Sequence, residues 1–265
     1  MFFMKFVIDH DYHIHSTVSG CCSDQNQTPE NILKFAEEKN FKKIVLTNHL
    51  WDESSIGDER CCWRQYESSS LKSLKTELPL PKSDKVEFVY GCEGDMDENY
   101  NIGIHPDNYD LFGFIVIATT HMHFWYGDTV TLPERAKFYV KRFEKLLESD
   151  LPFGRVGLAH LGCRFLANTS PTSYLDVLDS IPDSEFYELF RASKEKGLGI
   201  EINVKVPDEE SFKRVLRPHF IAKDCGCKFY IGSDSHSLAA FEPAYTMAQK
   251  TVDALGLTED DKFHF

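Results

Sequence analysis

Residues that can bind metal ions recur at the ends of successive hydrophobic runs in this 265-residue chain. The runs are rich in Val, Ile, Phe and Tyr, which is typical of strands, and lie near residues 6–14, 43–47, 86–91, 113–119, 155–159, 198–202 and 228–232. The metal-binding residue types at or just beyond their ends are His13, His15, His49, Glu93, His121, His160, Asp234 and His236. Because the carboxyl ends of the strands in a parallel α/β barrel share one face, the pattern predicts a single convergent site.

Helical patterns separate most of these runs. Thr28 is a predicted N-cap before Pro29 at the first helical position, and Pro133 to Leu147 carries an apolar stripe. Further helices are predicted near 184–196, 208–224 and 239–255. Strands that alternate with helices indicate βαβ units and a parallel sheet. We therefore expect the α/β class and a closed or nearly closed barrel of seven βα units.

Residues 1–265 are expected to form one domain. The Ser-rich, charged stretch 51–85 interrupts the alternation, and its length predicts a loop or short helices inserted at the mouth of the site. The last residues, 260–265, are expected to fray.

Charge and cysteine content narrow the partners and the compartment. The formal net charge is −13, with 42 Asp and Glu against 29 Lys and Arg, which disfavours long nucleic acids and anionic membranes as partners. We find no run of about 18 apolar residues and no basic leader, and the eight cysteines form no regular framework. The expectation is a cytoplasmic protein with reduced thiols.

The ligand types indicate more than one metal ion. Residues i and i+2 of a strand point the same way, so His13 and His15, or Asp234 and His236, can grip one ion or adjacent ions. Imidazole suits Zn, Fe or Mn, and carboxylates can bridge two ions. About nine candidate ligands, at three or four per ion, would hold two or three divalent metals.

This ordered set resembles the PHP family, the polymerase and histidinol phosphatase metal-dependent phosphoesterases. The resemblance runs through the motifs His13-x-His15, Thr47-Asn48-His49, Gly91-x-Glu93, His121, His160 and Ser233-Asp234-Ser235-His236. It implies a distorted (β/α)7 TIM-like barrel. It also implies one metal held by His13, His15, Glu93 and Asp234, a second by Glu93, His121 and His160, and a third involving His49 and His236.

The sequence departs from the family pattern at two positions. Histidinol phosphatases of the family carry a further His after the His-x-His motif, and Cys21 stands in its place, with Asp24 close enough to substitute. Asn48 stands where the family usually has Asp. An amide can orient His49 but cannot supply a charge.

The hypothesis is a phosphatase that hydrolyses a small phosphate monoester, as histidinol phosphatases do, through a hydroxide bridging two metals. Asp234, His236 and Arg164 are the candidate catalytic residues, with Arg164 placed to grip phosphate oxygens. Lys205 is a weaker candidate for the same role. A phosphodiesterase or exonuclease acting on nucleotides or short oligonucleotides is one alternative, and a non-catalytic metal-binding regulatory module is another.

Several neighbouring residues have expected supporting roles. Glu201 and Asn203 are expected to orient ligating histidines, and Trp51 and Trp125 suit the walls of a substrate pocket. His123 is an alternative to His121. His10 is expected to be packed or exposed without a functional role.

Overall fold

The strands form one parallel sheet that curves into a nearly closed barrel. The computed structural model describes residues 4–56, 63–122, 130–167 and 173–265. The strands are β1 (His10–Ile14), β2 (Lys43–Leu46), β3 (His49–Leu50), β4 (Glu87–Asp95), β5 (Phe114–Ala118), β6 (Val156–Leu158), β7 (Gly199–Ile202) and β8 (Lys228–Ile231). Seven of them follow the order β1, β2, β4, β5, β6, β7, β8, and the short β3 also pairs with β4. The predicted distorted barrel of seven parallel strands is therefore confirmed, and β3 is an addition that the sequence pattern missed.

Helices cover the outside of the sheet. They are α1 (Pro29–Glu38), α2 (Leu71–Leu74), α3 (Leu132–Glu148), α4 (Ser173–Asp179), α5 (Asp183–Lys196), α6 (Glu209–Asp224) and α7 (Phe241–Leu255). Thr28 caps α1 by accepting a hydrogen bond from the Asn31 N–H, as its position before Pro29 predicts. The four later predicted helices, α3 and α5 to α7, begin and end within two residues of their expected positions. Among the described residues, we find no helix long and apolar enough to cross a membrane.

Side chains alternate between the inside of the barrel and the helical layer. On β5, Phe114, Val116 and Ala118 belong to the interior cluster, whereas Ile115 and Ile117 pack with the outer helices. This alternation is what a strand buried on both faces requires, and it explains why β5 is apolar at every position.

Side chains help to close the barrel between β1 and β8. His10 Nε2 accepts the Ile231 N–H at 3.0 Å, and Asp11 Oδ1 accepts the Ser233 N–H at 3.0 Å. Further along, backbone bonds take over, from Asp234 N to His13 O at 2.7 Å and from His15 N to Ser235 O at 3.1 Å. The two strands therefore meet with their carboxyl ends in register, which brings His13 and His15 beside Asp234.

The tautomer of His10 follows from these bonds. Because Nε2 accepts, the ring proton lies on Nδ1, which is 3.3 Å from Asp9 Oδ1. Burial lowers the pKa of His10 below its ordinary value and outweighs the opposing effect of Asp9. His10 is thus a packed structural residue.

We expect the contribution of His10 to the free energy of unfolding to fall as the pH drops below about 6.5, because His10 takes up a proton more readily in the unfolded chain. A His10→Gln variant keeps an acceptor for Ile231 but does not titrate. As the pH falls, the unfolding free energy of this variant should therefore increase relative to that of wild type, by up to about 1.4 kcal/mol per pH unit. Denaturant unfolding of both proteins in chelator, between about pH 5 and 7, measures the difference. Parallel slopes would contradict the assignment.

The C-terminal residues fill the amino end of the barrel. Phe263 is buried and donates its backbone N–H to Phe229 O at 2.7 Å. The Phe265 ring lies 4.6 Å from Phe114 and 4.9 Å from Tyr12, between ring centroids. The expectation that residues 260–265 fray is wrong, because their aromatic rings complete the interior cluster.

Candidate metal centre

The strand-end ligands lie together at the carboxyl end of the barrel. Three groups of candidate ligand atoms each lie within 4.8 Å of one another: His13, His15 and Glu93; Glu93, His121 and His160; and His15, Cys21, His49 and His236. Glu93 belongs to two groups and His15 to two, so the groups are contiguous. The structure therefore brings together every predicted metal-binding histidine and Glu93.

The first group lies beside the junction of β1 and β8, where the barrel closes. The Nε2 atoms of His13 and His15 lie 3.1 Å apart, and each is 3.4 Å from Glu93 Oε2. Asp234 Oδ1 lies 3.2 Å from His15 Nε2 and 3.8 Å from His13 Nε2. Asp234 has φ +49°, a left-handed conformation that Asp tolerates better than most residues. Backbone strain at this position therefore accompanies the placement of a predicted ligand.

The second group lies on the other side of Glu93. Oε1 of Glu93 is 3.5 Å from His160 Nε2 and 4.0 Å from His121 Nε2. His121 follows β5 and His160 follows β6, so three neighbouring strand ends supply these ligands. His123, the alternative to His121, falls outside the described residues.

The third group depends on β3. His49 pairs directly with Glu93 across the β3–β4 ladder, and its Nδ1 lies 2.6 Å from Glu93 Oε2. The His236 ring stacks on His15 with 4.1 Å between centroids. Cys21 joins this group. Asp24 lies elsewhere, because its two carboxylate oxygens accept the backbone N–H groups of Asn26 and Leu238.

Several buried polar atoms of this centre form no hydrogen bond within the protein, which suits a site that binds cations. Both carboxylate oxygens of Glu93 and Nδ1 of His49 are buried and form no hydrogen bond, because the close contact between Nδ1 and Oε2 lacks hydrogen-bond geometry. Burial opposes the charge of Glu93, but His49 and His13 outweigh it and hold the pKa of Glu93 well below its usual range. An ionised buried carboxylate without hydrogen bonds is costly unless a cation is near. The donor set of imidazoles and carboxylates fits divalent ions such as Zn, Fe or Mn.

The unused ring nitrogens of the histidines are held by partners around the centre. Glu201 Oε1 lies 2.7 Å from His13 Nδ1, and its Oε2 accepts the His160 N–H at 2.6 Å. Thr120 Oγ1 lies 2.7 Å from His160 Nδ1, and Ser19 Oγ lies 3.1 Å from His15 Nδ1. Each partner leaves Nε2 directed at the other ligands, as metal-binding histidines require.

Only one of the two residues expected to orient ligating histidines contacts them. Glu201 contacts two histidine residues, whereas the side-chain nitrogen of Asn203 is buried with no hydrogen-bond partner. Thr120 and Ser19 were missed, because an isolated hydroxyl gives no sequence signal of its role.

The 51–85 insertion reaches the centre through Trp63. In its described part the insertion contains four short helices between residues 63 and 77, and the rest is irregular. The Trp63 ring stacks on His49 with 3.5 Å between centroids and 15° between planes, and its Nε1 donates to His121 Nδ1 at 3.4 Å. Trp51 instead is buried beside Gly103, and Trp125 lies outside the described residues. Among the described tryptophans, Trp63 rather than Trp51 therefore lies against the centre.

Two cationic side chains lie near the rim. Lys205 Nζ forms an ion pair with Asp234 Oδ2 at 2.8 Å while its side chain stays 54% exposed. Arg164 is exposed and its guanidinium lies over Phe165, whose ring centroid is 5.5 Å from that of His121. Both could meet an anion that approaches from solvent.

Comparison with known proteins identifies the fold. A scan against protein-family models and a search of curated protein sequences give no match. Histidinol phosphate phosphatase from Lactococcus lactis subsp. lactis Il1403, solved with zinc, L-histidinol and phosphate, has a TM-score of 0.62 and 18% identity over 97% of this chain and 99% of its own. A candidate histidinol phosphatase from Listeria monocytogenes has a TM-score of 0.57 and 15% identity over 89% of this chain and 98% of its own. The chain thus has the fold of histidinol phosphatases, as its resemblance to the PHP family implies.

Proposed function

We propose that this chain is a metal-dependent phosphatase that hydrolyses a small phosphate monoester. The observation that carries the proposal is the contiguous set of three ligand groups, joined through Glu93 and His15, at the carboxyl end of the barrel. Residues 1–265 act as one catalytic domain, with 51–85 at the mouth of the site. The fold shared with a phosphatase that was solved with zinc and phosphate supports the same reading.

The ligands divide among two or three divalent ions. His13, His15, Glu93 and Asp234 would hold the first, and Glu93, His121 and His160 the second. His49, His236 and Cys21 would hold a third with His15 beside them, which the 4.8 Å grouping supports. Asp24 is the weaker alternative to Cys21, because backbone amides already occupy both of its oxygens.

Bound ions of this kind polarise phosphoryl oxygens and lower the pKa of a coordinated water. The protein groups set the protonation states around them. Burial, reinforced by His15, lowers the pKa of His236 to about 3, so this ring is neutral near pH 7. Burial likewise lowers the pKa of His49 to about 4. Both rings are therefore kept in the form that ligates.

The anionic substrate needs positive charge at the mouth, because the chain carries a net charge of −13. Lys205 and Arg164 supply it. Lys205 is paired with Asp234 and can exchange that contact for a phosphate oxygen, since its side chain is half exposed. The guanidinium of Arg164 can take two phosphate oxygens at once. Trp63 covers the centre over His49.

A substrate panel tests this function together with metal analysis of the same sample. We expect hydrolysis of p-nitrophenyl phosphate and histidinol phosphate, a loss of at least about 100-fold after chelation, and recovery with Zn, Mn or Fe(II). A phosphodiester such as bis(p-nitrophenyl) phosphate should react more slowly. Faster diester hydrolysis would favour the phosphodiesterase alternative. Bound metal without turnover of either ester would favour the non-catalytic module.

A further inference from the structure

A carboxylate from the insertion forms hydrogen bonds with the barrel beside the candidate metal centre. Glu77, in the short helix Lys75–Glu77, accepts hydrogen bonds from Ser16 Oγ at 2.5 Å and from Asn48 Nδ2 at 2.7 Å. Ser16 and Asn48 are buried, and each directly adjoins a candidate ligand, His15 or His49. The insertion is thus anchored at two strand ends that shape the centre.

An asparagine at position 48 suits this contact with the carboxylate of Glu77. Asn48 Oδ1 accepts the Ser16 N–H at 2.8 Å, while its Nδ2 donates to Glu77 and to Ser16 Oγ. Asp at this position could still accept from Ser16. It would place a second carboxylate against Glu77, and two ionised carboxylates in a partly buried site repel each other unless one takes up a proton. The Asn that departs from the family pattern is therefore paired with an acid from the insertion.

The same stretch of insertion carries Trp63 to the centre. From Trp63 to Glu77 the chain runs through four consecutive short helices, with Leu74 buried among them and Ser69 O accepting the Trp51 N–H at 2.8 Å. One end of this stretch is fixed at Asn48, and the other end lays the Trp63 ring on His49. Loss of the anchor at Glu77 would leave the stretch that seats Trp63 held only through contacts such as those of Ser69 and Leu74.

We propose that Asn48 and Glu77 are a pair of positioning residues that hold residues 63–77 against the barrel, so that Trp63 forms a wall of the metal centre over His49 and His121. The pair slows escape of bound ions and orients substrate at this wall. The part that concerns substrate rests on the proposed function. The part that concerns the insertion does not.

A charge swap tests the pair. Asn48→Asp should raise the rate of amide hydrogen exchange of peptides within residues 63–77 by about tenfold or more, because it disrupts the interaction between positions 48 and 77. The loss of Zn to a chelator should become faster by a similar factor. Glu77→Gln should give a smaller change. The double variant Asn48→Asp/Glu77→Gln keeps one carboxylate and one amide with donor and acceptor exchanged, so both rates should return to within about twofold of wild type.

Two further variants keep the test decisive. Glu67→Gln changes an exposed acid of the same insertion and should leave both rates unchanged. Glu77→Ala removes the anchor without placing charge in the barrel, so it should open residues 63–77 even when Asn48→Asp does not fold. In active protein, the anchor variants should raise KM more than they lower kcat.

Additive effects in the double variant, or unchanged exchange in Glu77→Ala, would overturn the pairing. Hydrogen exchange needs neither metal nor turnover, so its outcome is separate from that of the proposed function. Protein that hydrolyses no phosphate ester but shows the rescue would refute the phosphatase and leave the anchor standing.

Discussion

Glu93→Gln is expected to lower the bound divalent metal to less than half of the wild-type content and to reduce phosphatase turnover by more than about 100-fold. The reason is that Glu93 contributes one oxygen to each of two ligand groups, and both oxygens are buried with no hydrogen-bond partner. Replacing a residue that only orients a ligand costs about 10- to 100-fold, and loss of a shared ligand should cost more. Metal analysis and steady-state kinetics on the same preparation measure the two effects.

Glu87→Gln is the matched control for this change. Glu87 lies on the same strand, is exposed, and pairs with Lys43 at the opposite end of the barrel. It should retain wild-type metal content and turnover. Wild-type metal content in folded Glu93→Gln protein would refute the assignment of Glu93 as a shared ligand.

Gly232→Ala is expected to destabilise the fold by about 2 to 4 kcal/mol and to weaken metal binding by about 10- to 100-fold. A Cβ at position 232 would lie 1.9 Å from Glu201 Oε1 and 2.8 Å from the Cβ of His13. Glu201 has no room to yield, since it is fully buried and held by both His13 and the backbone of His160. The added methyl group therefore acts on the ring orientation of His13.

Shortening the acid separates crowding from a general loss of stability. Glu201→Asp alone should weaken metal binding, because the carboxylate no longer reaches His13. In the double variant Gly232→Ala/Glu201→Asp the methyl group gains space, so the combined loss of unfolding free energy should be smaller than the sum of the single losses. Simple additivity, measured by denaturant unfolding, would show that the contact with Glu201 is not the cause.

Much of this architecture could be predicted because local pattern and topology agree. Apolar runs and helix caps indicate a parallel barrel, and a parallel barrel brings its strand ends together whatever the loops do. For that reason His13, Glu93 and His160 could be assigned to one site from their positions alone. The two-residue strand β3 was missed, since two residues carry no periodicity, although it is what aligns His49 with Glu93.

The contacts of the insertion and of the C-terminal residues could not be predicted from the sequence pattern. Nothing local in the sequence pairs Glu77 with Asn48 or sets Trp63 on His49, because these contacts depend on how a 35-residue stretch (51–85) folds back. The expected fraying of residues 260–265 failed for a similar reason. Phe263 and Phe265 look like exposed aromatic residues until the interior they fill has been assembled.

That interior has a consequence for how the protein is made. Tyr12 and Phe265 meet across a separation of 253 positions, so the amino end of the barrel cannot be filled until residues 263 to 265 have been synthesised. Until then, inward-facing residues such as Phe114 and Tyr230 lack part of their packing. Contacts of this sequence separation form slowly and leave apolar surface open meanwhile. A nascent chain that still lacks residues 263 to 265 would therefore expose apolar surface at the amino end of the barrel, and this end is filled only after these residues have been added.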